Sequence, residues 1–115
     1  MTTMAALDTE RLDALAATFS GALLGPEDAG YDAARSVHNG LIDKRPALIA
    51  RCHGTADVAD AIAFARETGL EISVRGGGHN VAGRAVADDA LMIDLSEMKG
   101  IHVDPAARTI RAQGG

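Results

Sequence analysis

The sequence predicts an α+β fold (mixed α/β), with helices early in the chain and strands late. Three observations lead to this prediction. Apolar residues recur at helical spacing near the N-terminus. A strand, a helix and a second strand then follow within about 30 residues, as in a βαβ unit, and two short strand patterns joined by a tight turn come last. The length of 115 residues suits one domain or part of a larger one.

Residues 1–45 are predicted to form a helical lead-in whose role is packing. A first helix is indicated by apolar positions at i, i+3, i+4 and i+7, an N-cap before them and a stop after them: Leu12, Leu15, Ala16 and Phe19, with Asp8 and Gly21. A turn follows at Gly25-Pro26. A short helix over 31–37, ended by Asn39-Gly40, completes the lead-in.

Residues 46–115 carry the strand patterns. The continuous apolar run 47–52, between Pro46 and Gly54, predicts a buried strand. Alternation or apolar runs predict four more strands, which are 71–75, 91–95, 101–103 and 109–112. The last two are joined by 104–107, where Pro105 fits the second position of a tight turn, so they are predicted to form a hairpin.

The segment between the first two strands is predicted to be a helix with one buried face. Thr55 is the predicted N-cap, and Gly69 followed by Leu70 predicts a Schellman-type end. The spacing places three apolar positions inward and three acidic positions in solvent: Val58, Ile62 and Ala65 against Asp57, Asp60 and Glu67. The resulting βαβ unit is expected to be right-handed if its strands are parallel.

Composition argues against several classes of partner. Lys and Arg number 11 against 16 Asp and Glu, and aromatic residues make up 3%, so the chain lacks the basic face and stacking side chains of a nucleic-acid binder. No apolar run approaches the ~20 residues that span a bilayer. Met1 to Glu10 lack the features of a secretion signal. The single Cys52 cannot form an internal disulfide, which indicates either a reducing compartment or indifference to redox state. Together these observations make a cytoplasmic protein the default expectation.

The motif that suggests chemistry is a run of three glycines directly after a predicted strand, Arg75-Gly76-Gly77-Gly78-His79-Asn80. Each glycine weakens a regular element by roughly 0.5 to 1 kcal/mol relative to Ala, so the run indicates positive φ or a close approach. Successive N–H groups in such a turn bind anions, and Arg75 adds charge that phosphate favours, so a pyrophosphate is the predicted ligand. The Rossmann fingerprint fails because Val81 replaces its third glycine, and no P-loop motif occurs.

His79 is the titratable residue of this loop, and two interpretations of it stay open. It either hydrogen-bonds the backbone, or it serves in ligation, proton transfer or covalent attachment. No metal site is predicted, because Cys52 has no second cysteine and the histidines show none of the i, i+4 spacing of helical zinc sites. The histidines are His38, His53, His79 and His102.

Several short motifs occur in an order that matches a known family. They are Ala47-Leu48-Ile49, Cys52, Asp57-Val58, the glycine run 75–80, Gly83, Ile93-Asp94-Leu95 and Val103-Asp104-Pro105. With these motifs, residues 46–115 resemble the start of the FAD-binding domain of the berberine-bridge-enzyme-like FAD-linked oxidases, in the PCMH (vanillyl-alcohol-oxidase) superfamily. The lead-in, with Tyr31 to Arg35 and Asn39-Gly40, fits the same family.

The resemblance implies a PCMH-type FAD-binding subdomain, a small mixed sheet with flanking helices, and FAD as cofactor. The FAD pyrophosphate is expected on Arg75, Gly76, Gly77, Gly78, His79, Asn80 and Gly83. His79 is implied as the covalent attachment point, through a bond to the 8α-methyl carbon of the flavin. Residues 46–115 are expected to be the truncated first half of the domain. Catalytic residues and a substrate domain are then expected elsewhere, and residues 1–115 alone are expected to be inactive.

The resemblance further implies an oxidase. The parent protein is expected to transfer a hydride from a small organic substrate, such as an alcohol, sugar or amine, to FAD and to pass the electrons to O₂. The residues alone also allow a noncatalytic anion-binding or assembly module that self-associates through an exposed strand edge. Cys52 is predicted to be a small core residue, and Asp94 and Asp104 to have structural roles.

Overall fold

The computed structural model of the protein describes residues 9–37, 39–78 and 83–115. Within those ranges the elements are α1 (Thr9–Thr18), β1 (Ala22–Leu24), α2 (Tyr31–Arg35), β2 (Leu48–Arg51), α3 (Thr55–Thr68), β3 (Ile72–Arg75), β4 (Leu91–Asp94), β5 (Ile101–Asp104) and β6 (Thr109–Ala112). This arrangement confirms the predicted mixed α/β class, with a small mixed sheet and flanking helices. None of the described helices combines the length and the apolar character needed to cross a bilayer.

Four strands form the central sheet, in the order β1-β2-β4-β3. Strands β2, β4 and β3 are parallel, and β1 pairs with the outer side of β2 in the antiparallel sense. The predicted strand-helix-strand unit is present, but β4 lies between its two strands. All three parallel strands therefore end at the same edge of the sheet, which is called the carboxyl edge below.

The C-terminal strands β5 and β6 form the predicted hairpin, a two-stranded sheet of its own. Val103 lies opposite Ile110 and Asp104 opposite Thr109. The Asp104 carboxylate accepts the N–H of Ala107 at 3.2 Å, as expected for an acidic residue that begins a tight turn. The predicted structural role of Asp104 is confirmed.

The lead-in contains both predicted helices and also the strand β1, Ala22–Leu24, which the prediction of a helical lead-in did not include. This strand pairs with β2 and places Leu24 opposite Ile49. Three residues are too few for a periodic pattern to reveal a strand. Gly21 marks the close approach of the two strands, since a Cβ atom at this position would overlap the carbonyl oxygen of Arg51.

Both lead-in helices end earlier than predicted, and α1 ends at Thr18, before the predicted stop at Gly21. Helix α2 ends at Arg35, two residues early, and Ser36 is extended. Asn39-Gly40 instead belongs to a separate turn, in which the Asn39 side-chain oxygen accepts the N–H of Leu41 at 3.1 Å. Asp8, the predicted N-cap of α1, lies outside the described residues.

Helix α3 ends as predicted but begins differently. Gly69 has a φ of 77°, and the N–H of Leu70 donates to the carbonyl of Ala65 at 3.1 Å, the long bond of a Schellman ending. The predicted cap is wrong, because Gly54 is the N-cap and Thr55 is the first helical residue, with no side-chain capping bond.

The buried face of α3 is rotated from the predicted one. Ile62 is 38% exposed, whereas Asp57 is buried, so both predictions are wrong. The buried residues follow the spacing i, i+4, i+7 and i+8, and they are Asp57, Ala61, Phe64 and Ala65. Hydrophobicity alone cannot identify such a face, because a carboxylate is buried when enough donors surround it.

Asp57 joins the start of α3 to the lead-in. Its carboxylate accepts the N–H groups of Ser20 at 2.9 Å, Gly21 at 2.9 Å and His53 at 3.0 Å, and the Ser20 hydroxyl lies 3.0 Å and 3.1 Å from its two oxygens. Burial raises the pKa of this carboxyl, but the hydrogen bonds outweigh burial, so the pKa is lowered from its ordinary value. The ionised carboxylate therefore fixes the turn that leads into β1.

A hydrophobic core lies on each face of the sheet. One core joins β2 and β4 to α1 and α3, through Leu48, Ala50, Leu91 and Ile93 with Leu15 and Phe64. The other joins the same strands to α2 and consists of Tyr31, Ala34, Ile49, Val86 and Met92. Cys52 belongs to the first core, which confirms its predicted role as a small core residue. Burial raises the pKa of its thiol to about 11, and the negative charges of Asp57 and Asp94 act in the same direction.

Replacing Asp57 by Ala is expected to lower the free energy of unfolding by about 3 kcal/mol, because three partly buried backbone N–H groups lose their acceptor. Urea denaturation measures the change. Asp60→Ala is the matched control, since Asp60 is on the same helix, is partly exposed and accepts one hydrogen bond, from Thr18, at 3.2 Å. The control should change stability by about 0.5 kcal/mol or less. Equal losses in the two variants would contradict the role assigned to Asp57.

The lowered pKa of Asp57 also predicts a pH dependence. The ionised carboxylate stabilises the fold fully above the unfolded-state carboxyl pKa of about 3.9, and this contribution is lost as the pH falls through the lower folded-state pKa. The stability difference between wild type and Asp57→Asn should therefore shrink on acidification from about pH 6 to about pH 2. Chemical denaturation across this range measures it, and a constant difference would contradict the assignment.

Candidate functional site

Three charged residues end the parallel strands and lie in one row at the carboxyl edge. Arg51 ends β2, Asp94 ends β4 and Arg75 ends β3, and the register places both arginines opposite Asp94. Sequence reasoning missed Arg51. The sequence does contain a signal for this row, because each of the three predicted strands carries a charged residue near its C-terminal end. The C-terminal ends of parallel strands meet at one edge of a sheet, so these three residues could be expected to lie together.

Asp94 is fully buried and interacts with both arginines. Its Oδ2 accepts a hydrogen bond from Arg51 Nε at 3.1 Å, and its Oδ1 lies 3.8 Å from Arg75 Nη1. The backbone N–H of Ser96 donates to Oδ1 at 2.9 Å. Two guanidinium groups and one carboxylate leave the row with one net positive charge, which favours an anion at this edge.

The glycine loop begins where β3 ends. Gly78 is buried with a φ of 73°, and a Cβ atom on Gly76 would lie 2.5 Å from the carbonyl oxygen of Gly114. These observations confirm the positive φ and the close approach that the glycine run predicts. Among the described residues, the N–H groups of Gly77 and Gly78 form no hydrogen bond. Within that part of the chain these two donors are unsatisfied, as donors reserved for a bound anion would be.

The Arg75 side chain lies between the loop, the sheet and the lead-in. Its Nη2 donates to the carbonyl of Ser36 at 3.3 Å, and its Nη1 to the carbonyl of Gly76 at 3.4 Å. A Cβ atom on Gly78 would lie 3.3 Å from Arg75 Nε, which shows how closely the loop covers the guanidinium. Arg75 Nε is buried and has no hydrogen-bond partner in the part of the chain that the structure describes.

The remaining predicted site residues follow the loop. Gly83 is buried with a φ of 74°, and it lies against Ile42 of the lead-in, whose side chain would be 2.8 Å from a Cβ atom at Gly83. His79 and Asn80 lie outside the described residues, so their assigned roles stay predictions. Of the predicted site residues, the structure therefore places Arg75 and Gly76–Gly78 together. It also places Arg51 and Asp94, which were not predicted as site residues, beside Arg75.

These features fit the diphosphate of a dinucleotide cofactor such as FAD. A loop with positive φ and available N–H groups forms a concave site for an anion. The net positive row beside it suits negatively charged oxygens. No group of three His, Cys, Asp or Glu side chains that could hold a metal ion occurs within 9–37, 39–78 and 83–115.

Known proteins resemble this chain in sequence. A protein-family model described as FAD binding domain matches residues 46–115, which include the glycine loop and all three strands of the carboxyl edge. The chain is 43% identical over 98 residues to (R)-6-hydroxynicotine oxidase of Paenarthrobacter nicotinovorans. That match covers 85% of this chain and 21% of the relative.

Solved structures share the fold. The chain superposes on 6-hydroxy-D-nicotine oxidase from Arthrobacter nicotinovorans with a TM-score of 0.81 at 43% identity, over 85% of this chain and 22% of that one. It superposes on BBE-like 1 of Physcomitrella patens with a TM-score of 0.78 at 26% identity, over 86% of this chain and 22% of that one. The chain thus spans about a fifth of the length of the relatives it matches.

Replacing Gly78 by Ala is expected to lower the free energy of unfolding by about 1–2 kcal/mol, because an L-residue is strained at a φ of 73°. The added Cβ would also press on Arg75. Gly40→Ala is the matched control, since a Cβ there meets no atom of the described residues within 4 Å and needs no positive φ. Urea denaturation should show a change of about 0.5 kcal/mol or less for the control. A Gly78 variant as stable as the control would contradict the assigned strain.

Proposed function

The chain belongs to the FAD binding domain family, and from this we propose that residues 46–115 form the first half of the FAD site of a flavin-dependent oxidoreductase. The parent protein would oxidise a small organic substrate by hydride transfer to FAD, and O₂ would reoxidise the cofactor. The observation that carries the proposal is the glycine loop at the carboxyl edge, with its available N–H groups and its net positive row.

The chain's contribution in this proposal is to bind and orient the cofactor. The N–H groups of Gly76–Gly78 would donate to the pyrophosphate oxygens, and the arginines at the carboxyl edge would supply the favourable charge. The sequence adds Asn80 and Gly83 to this set. When bound, FAD supplies the hydride acceptor. The group that takes the substrate proton is proposed to lie outside residues 1–115, which by themselves should not turn over substrate.

His79 is proposed as the point where the flavin is attached covalently, through its 8α-methyl carbon. The proposal rests on the position of His79 directly after the glycine run and on the resemblance to the oxidase family. A neutral imidazole nitrogen is a competent nucleophile near neutral pH. A pyrophosphate held by the preceding glycines would restrict the flavin to the neighbourhood of that nitrogen, which raises its effective concentration.

The substrate is proposed to be a small alcohol, sugar or amine. The relative that is 43% identical is by name an oxidase of (R)-6-hydroxynicotine, which supports a small organic molecule as the class. The match covers 21% of that relative, so we propose that the residues that select among these substrates lie outside the matched part.

A second candidate function is self-association through the hairpin. Ile101, Val103 and Ile110 are 72%, 56% and 70% exposed and lie on one face, since Val103 is opposite Ile110. Exposed apolar strands pair readily with another chain. Sedimentation velocity over a wide range of concentrations tests this candidate, and a compact monomer at every concentration would exclude it.

The full-length protein is expected to be yellow, and denaturing mass spectrometry should find one FAD on the peptide that carries His79. His79→Ala should abolish the acid-stable flavin and leave reversible FAD binding, because the loop glycines are intact. His102→Ala, on the exposed hairpin, is the control and should keep the attached flavin.

Two outcomes count against different parts of the proposal. A folded full-length protein that neither carries nor binds flavin would contradict the proposed function. Acid-stable flavin that persists in His79→Ala would contradict only the attachment point.

A further inference from the structure

We infer that Asp94 is a positioning residue for the FAD-binding loop. It holds the Arg75 guanidinium beneath Gly76–Gly78, so that the loop keeps the shape in which its N–H groups can donate to a pyrophosphate. This inference rests on the proposed function. The sequence motif places the site in the glycine loop and the residues next to it. The inference adds Asp94, which lies on β4, the middle one of the three parallel strands.

The burial of Asp94 supports a positioning role. A carboxylate removed from water is costly unless charges and hydrogen bonds compensate it, and a buried ion pair often contributes little net stability. Asp94 is fully buried, with Arg51 on one side, Arg75 on the other and the Ser96 N–H on Oδ1. The arrangement is better explained by what it fixes, which is the direction of two guanidinium groups at the edge of the sheet.

Arg75 transmits this restraint to the loop. Its guanidinium reaches Asp94 on the sheet, the Ser36 carbonyl in the lead-in and the Gly76 carbonyl at the start of the loop. Gly78 covers it so closely that a Cβ atom would lie 3.3 Å from Nε. A guanidinium is planar with donors in a fixed fork, so holding one end also fixes the other.

Two possible roles of Asp94 predict opposite effects of its neutralisation. If the arginines act only as free positive charges, removing the nearby carboxylate raises the positive potential at the loop and strengthens FAD binding. If Asp94 positions Arg75, its neutralisation releases the guanidinium from beneath the loop and weakens FAD binding. The sign of the change in affinity therefore distinguishes the two roles.

The test is an FAD titration of the full-length protein, followed by flavin fluorescence. A His79→Ala background keeps binding reversible. Asp94→Asn is expected to weaken FAD binding at least about tenfold, the factor that corresponds to 1.4 kcal/mol. Asp57→Asn is the matched control, because it also neutralises a buried carboxylate but contacts Ser20, Gly21 and His53 instead of the loop. It should change FAD affinity by about twofold or less, even though it lowers the unfolding temperature.

Arg75→Lys provides a second test that does not depend on a buried substitution, since the Arg75 side chain is 20% exposed. Lysine keeps the positive charge but lacks the fork that spans Asp94, Ser36 and the loop. It should weaken FAD binding about as much as Asp94→Asn. The double variant should be little worse than either single variant, because both break the same contact.

Several results would overturn the inference. The inference is overturned if Asp94→Asn binds FAD as tightly as the wild type or more tightly. It is also overturned if Asp57→Asn loses as much FAD affinity as Asp94→Asn, because the loss would then follow from reduced stability. Wild-type FAD affinity in Arg75→Lys would overturn it as well, and so would losses of affinity that are strictly additive in the double variant. Failure of the parent protein to bind FAD at all would instead overturn the proposed function.

Discussion

The parallel register of β2, β4 and β3 is the constraint on which the rest of the site depends. It aligns the last residues of the three strands, so that Arg51 and Arg75 flank Asp94 at one edge. The buried Asp94 carboxylate is paired with two partly exposed guanidinium groups, and this 2:1 ratio leaves one net positive charge at the edge. The glycine loop starts from that row. Its geometry and its electrostatic environment therefore both follow from how three strands pair.

Two buried carboxylates tie distant segments to this sheet by different means. Asp57 accepts hydrogen bonds mainly from backbone N–H groups and fixes the turn before β1. Asp94 is held mainly by guanidinium groups and lies below the loop. Backbone donors cannot move without moving the chain, whereas a guanidinium can reorient. The first carboxylate therefore acts on the fold, and the second acts on a side chain that braces the loop.

Features that depend on local sequence could be predicted, and those that depend on long-range pairing could not. The ending of α3, the hairpin turn and the positive φ in the glycine run each follow from a few consecutive residues, as at Gly69 and Gly78. Strand β1 was missed because it has three residues and can be recognised as a strand only from its pairing with β2. The inward position of Asp57 was missed because two of its three backbone donors, Ser20 and Gly21, lie 37 and 36 residues away in the chain. The row of Arg51, Asp94 and Arg75 likewise depends on strand order, which no local pattern encodes.

Strand β4 occupies the centre of the parallel strands although it is the last of them in the chain. During synthesis β2 can pair with β1, which precedes it, but neither β2 nor β3 can pair with β4 until residue 94 has been made. Until then the two strand edges that will face β4 are unpaired, the kind of surface through which incomplete chains aggregate. Insertion of β4 buries these edges and completes the charged row in the same event. The charged row at the carboxyl edge is thus assembled only when β4 enters the sheet between β2 and β3.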